Sequence, residues 1–133
     1  MSTADDDAAN QRLHWQLEEL EARGVSQRER FPRMRELSVG YERSAVRRFA
    51  EDDLMAWSDL FAAITWAAKA GDRMRWRSLL QQGHERAEAM AEGRDEVEAE
   101  LEDLRAWARA LPVAPSLTNY AVAMPPRSLR PAA

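Results

Sequence analysis

The stretch DLMAWSDLFAAITWAAKA, residues 53–70, decides the fold. Leu54, Trp57, Phe61, Ile64 and Ala68 recur in steps of three and four, the period of a helix face. Met55, Leu60, Trp66 and Ala67 widen that face until little polar surface is left. A helix apolar nearly all round is one that other helices surround. Asp52 or Asp53 is placed to cap its start, and Gly71 to end it. The run from Leu60 to Ala68 is broken only by Thr65 and is far too short to span a membrane.

Upstream, Met34, Leu37, Tyr41, Ala45 and Phe49 form a second stripe. Ser26 and Glu29 have capping-box spacing ahead of it. Pro32 lacks an N–H and clashes with the preceding turn, so a short helical turn over 26–30 and a main helix from Phe31 or Pro32 are expected. Gly40 within that helix marks a bend or a close helix contact. A first helix is expected from Asp6 to Arg23, with Ala9, Leu13, Leu17 and Leu20 inward and Gly24 ending it.

Downstream, Trp76, Leu80, Gly83, Ala87 and Met90 alternate in steps of four and three, and Val97, Leu101, Leu104, Ala108 and Leu111 continue the rhythm. One long arm over 72–111 would satisfy that register. Gly93, and Asp95 with Glu98 at capping-box spacing, instead favour a break at 92–94 and an antiparallel hairpin. The expected architecture is therefore all-α: a bundle of four to five helices over 1–111 with a central apolar helix and a C-terminal helical hairpin. Residues 112–133 hold five of the six prolines and read as an extended tail.

The 133 residues suffice for one domain with a real core, and 45% apolar with 32% charged is a globular balance. The absence of cysteine excludes disulfides and thiolate metal sites. The acidic start, Asp5 to Asp7, has no apolar run after it, so no signal peptide is visible and a cytoplasmic location is expected. No nucleophile elbow, phosphate-binding glycine loop or HExxH is present. His14 and His84 each precede a glutamate by one turn (Glu18 and Glu88), but Gln11 and Gln81 stand where a di-metal bundle has glutamate. Both pairs read as solvated or helix-end features. No catalytic residue, cofactor or metal site is assigned, and the protein reads as non-enzymatic.

Charge is segregated. Residues 1–24 carry net −4 and residues 25–50 net +4, the latter from Arg28, Arg30, Arg33, Arg35, Arg43, Arg47 and Arg48 against three glutamates. Either these guanidinium groups pair with acids of neighbouring helices, or they face a phosphate backbone. The overall net charge of −4 argues against a free nucleic-acid binder. Among five tryptophans, Trp15 and Trp66 fit their stripes worst and are the candidates for partner-binding anchors.

Two motifs bear on function. Gly24-Val25-Ser26 looks like the turn of a helix-turn-helix, but Arg30 stands where an apolar residue belongs and Pro32 falls inside the recognition helix. Arg47-Arg48-Phe49, Lys69-Ala70-Gly71-Asp72 and Trp76-Arg77-Ser78-Leu79-Leu80 together resemble the small helical subunit of Cascade-type CRISPR surveillance complexes. That resemblance implies a compact bundle lining a ribonucleoprotein, with the arginine cluster touching nucleic acid. The residues themselves favour an assembly or adaptor module that binds protein partners, or a second copy, through helix faces. The ribonucleoprotein subunit is the alternative.

Overall fold

The computed structural model describes residues 2–113, and the extended tail expected beyond them lies outside the described residues. Five helices follow one another: α1 (Thr3–Ala22), α2 (Gln27–Ala50), α3 (Met55–Lys69), α4 (Arg73–Glu88) and α5 (Arg94–Arg109). The chain is all-helical over this span, as its periodicity requires. No helix is long and apolar enough to cross a membrane.

α3 is the centre. It packs against α2, α4 and α5, while α1 packs along α2. The main core joins Leu60, Ile64 and Ala68 of α3 to Trp76, Leu79 and Leu80 of α4 and to Leu101 and Ala108 of α5. A second cluster, Leu17, Met34, Leu37 and Ala70, seals α1 and α2 against the end of α3. The expected hairpin is present, with Gly93 at φ 76° opening α5. At its crossing, a Cβ on Gly83 would lie 2.8 Å from the Leu101 side chain, which would have to shift to admit it.

Several boundaries differ from expectation. α2 runs unbroken through Pro32, forgoing a single i→i−4 bond near its start rather than ending. Ser26 caps it as its spacing suggested, accepting from the Glu29 N–H at 3.2 Å. α1 begins three residues early because Ser2 and Asp5 close a capping box there. The Ser2 backbone and side-chain bonds hold the Asp5 carboxyl below the usual carboxylate range. The second capping box at Asp95 does not form: the N-cap is Gly93, and Asp95 and Glu96 face the positive helix end from the first turn.

The least expected packing lies between α1 and α2. α1 buries Asp6, Asn10 and Leu17, so the N-terminal half of its inward face is polar. Asn10 lies against Gly40, where a Cβ would stand 2.0 Å from its Oδ1. Gly40 therefore marks a close helix contact, not a bend. Gly40→Ala is expected to cost about 1–3 kcal/mol by urea titration. In an Asn10→Ala background that cost should largely vanish, because the obstructing atom is gone.

Candidate functional site

Physical chemistry sorts the seven arginines of the basic block. Arg48, with its side chain 14% exposed, bonds Asp59 of α3 at 2.6 Å, Asp7 of α1 at 2.9 Å and approaches Asp53 of the α2–α3 turn at 3.5 Å. The Asp59 and Asp7 bonds push the Arg48 pKa further up, so it stays charged. Burial raises the Asp59 carboxyl, and the Arg48 bond draws it back. Arg47 donates from Nε to Asp6 at 2.9 Å. Arg35 pairs with Asp72, and Arg33 with Glu36. Four of the seven are thus committed to carboxylates within the chain. Arg28 also has an interaction, and Arg30 is half-buried. Arg43 is exposed and has no ion pair among the described residues.

The tryptophan candidates separate in the same way. Trp66 is half-buried, packs on the second cluster, meets the His14 ring edge-on and carries Lys69 over its face. Trp15 is 60% exposed, on the side of α1 turned from α2. It stands between Arg12 and Glu19 with no large apolar neighbour on its own helix face, and single exposed apolar residues are ordinary.

Neither histidine lies on a solvated face, which corrects the sequence reading. His14 is half-buried, with Nε2 2.8 Å from the Tyr41 hydroxyl. Burial lowers its pKa; Glu18 opposes that shift and Lys69 adds to it. Burial, with Asp59 and Asp7 nearby, raises Tyr41. His84 bridges α4 to α5, with Nδ1 at Glu98 and Nε2 at Glu102. The two carboxylates flank opposite ring nitrogens, so a single ion would not reach all three groups. No metal-competent group of three occurs among the described residues.

What remains is a face that sequence inspection missed. Val39, Arg43, Val46 and Ala50 follow steps of four, three and four along α2, on the side away from Leu37 and Ala45. With Glu42 and Arg47 they line a shallow, open groove on α2. Val46 is 51% exposed and Val39 38%. The signal was legible as a second, shorter apolar stripe on an already amphipathic helix. Searches against family models, curated proteins and solved structures found no match.

Two outcomes follow from the sorting of charges. Arg48→Ala should cost about 3 kcal/mol or more in urea unfolding, since it leaves a buried carboxylate unpaired. Arg43→Ala should change stability by no more than about 0.5 kcal/mol. His14 titration sets a pH dependence. Its folded pKa lies below the ordinary 6.5, so its contribution is whole above that value. It is lost as pH falls toward the folded pKa, because the unfolded chain takes up the proton first. Between about pH 7 and 5 the wild type should lose more stability than His14→Gln, compared in parallel melts.

Proposed function

We propose that this chain is a non-enzymatic adaptor that binds a helix of a partner protein along the outer face of α2. The observation that carries this reading is the uncovered Val39–Val46–Ala50 stripe on a molecule whose two cores are already closed. An apolar seam on a long, rigid helix suits the helix-in-groove mode, in which anchors one or two turns apart supply affinity. Arg43 lies in the seam without an ion pair among the described residues, and Arg47 borders it. The fitting partner helix therefore carries apolar residues seven apart and acidic residues between them. The phosphate-backbone reading has less to stand on, since Arg33, Arg35 and Arg48 already face carboxylates. Phosphates would have to compete for them.

The test is fluorescence anisotropy with a synthetic alanine-based helical peptide. It carries two leucines seven residues apart and two glutamates four apart, with a glutamine version as control. Wild type should bind the acidic peptide, and Val46→Asp should abolish binding while the urea midpoint stays put, because Val46 is outside the core. Failure to bind that peptide, or equal binding by Val46→Asp, overturns the reading. A salt-sensitive shift of duplex or single-stranded nucleic acid, lost in Arg43→Glu, would move the function to the ribonucleoprotein class.

A further inference from the structure

Asp6 is the most deeply buried acid in the molecule, with its side chain fully covered and one oxygen, Oδ1, without a partner. A carboxylate sequestered in this way carries a desolvation cost that a single bond offsets in part. Its one bond accepts from Arg47 Nε. That choice of atom matters. A guanidinium has five N–H donors in a rigid fork, and bonding through Nε leaves both terminal nitrogens free. No hydrogen bond engages them among the described residues.

Arg47 lines the α2 groove, one turn beyond Arg43. A long, flexible arginine loses rotamer freedom when it binds, and a carboxylate behind it removes much of that loss in advance. The anchor comes from a different helix, and the seam that carries it is polar. Asn10 Nδ2 and Ser44 Oγ, buried along the same α1–α2 contact, also lack partners. Packing alone gives α1 little reason to place a carboxylate there.

We propose that Asp6 is a positioning residue for the α2 groove: it holds Arg47 so that its fork, together with Arg43, receives paired carboxylates of an acidic partner helix. The site thereby depends on α1, although only α2 residues line it. This rests on the partner-helix reading above. Its consequence is that the first two turns of α1 contribute to affinity without touching the partner.

A double-mutant cycle on the full chain tests it with the same glutamate peptide. Asp6→Asn keeps shape and an acceptor oxygen but loses the charge. It is expected to weaken peptide binding about fivefold, and Arg47→Gln to weaken it by at least as much. In the Arg47→Gln background, Asp6→Asn should have no further effect, because the residue through which it acts is gone. Any general loosening of α1 would instead weaken binding equally in both backgrounds, and that result overturns the proposal. Unchanged or tighter binding by Asp6→Asn also overturns it. If Val46→Asp still abolishes binding, the partner-helix reading survives that failure. If Val46→Asp is without effect, both fall. Glutamine-peptide binding that remains sensitive to Asp6→Asn counts against the proposal too, since the fork would then have nothing to receive.

Discussion

A single guanidinium holds four segments of this molecule in place. Arg48 leaves α2 and reaches α3 through Asp59, the α2–α3 turn through Asp53 and α1 through Asp7. Three carboxylates brought this close repel one another without a cation among them. The cation in turn is tolerated at low exposure because the carboxylates surround it. The small residues Ala56, Ala63 and Ala67 let α3 approach α2 closely enough for Ser38 Oγ to donate to the Ala63 carbonyl at 2.7 Å. The same hydroxyl accepts from Arg75, which also reaches Glu42, so the start of α4 is tied to α2 as well. Polar bonds fix the register, and apolar area supplies the driving force.

How much of this was readable in advance depends on the kind of interaction. Burial of a stripe is a local property of the sequence, and the stripes on α2, α4 and α5 are the ones the structure buries; on α3 burial centres instead on Ala56, Leu60, Ala63, Ile64 and Ala67, and Leu54 of the expected stripe is exposed. The hairpin break at Gly93 was legible for the same reason, since a glycine with positive φ is a local device. The polar half of α1 was not. Periodicity counts apolar residues, and nothing in Asp6 or Asn10 announces that an arginine forty-one residues away, and a glycine thirty away, will meet them. Asp6 and Arg47 are only two of many possible partners until the helices are docked.

The arginine block shows the same limit. Seven guanidinium groups between residues 28 and 48 look like one basic surface as long as the chain is one-dimensional. A helix distributes them by angle. Arg48 turns inward between α1 and α3, Arg35 reaches Asp72 at the start of α4, and Arg33 stays on its own helix with Glu36. Of the acids over residues 1–24 and the arginines over 25–50, Asp6 with Arg47 and Asp7 with Arg48 meet across the α1–α2 contact.

The number of neighbours each helix has explains why the outer face of α2 matters. α3 is surrounded by α2, α4 and α5, and its composition is apolar on all sides accordingly. α2 has α1 on one side and α3 on another. Its third side faces solvent, where a helix of a closed bundle carries polar residues. Glu36 and Arg33 obey that rule in the first half of the helix. Val39, Val46 and Ala50 depart from it in the second half, on the stretch where Arg43 lacks an ion pair among the described residues and Arg47 is held from behind. Trp15, Leu54 and Met74 are exposed as well, on three different segments of the chain. The α2 residues do share one face, with Arg43, Arg47 and Glu42 beside the apolar side chains.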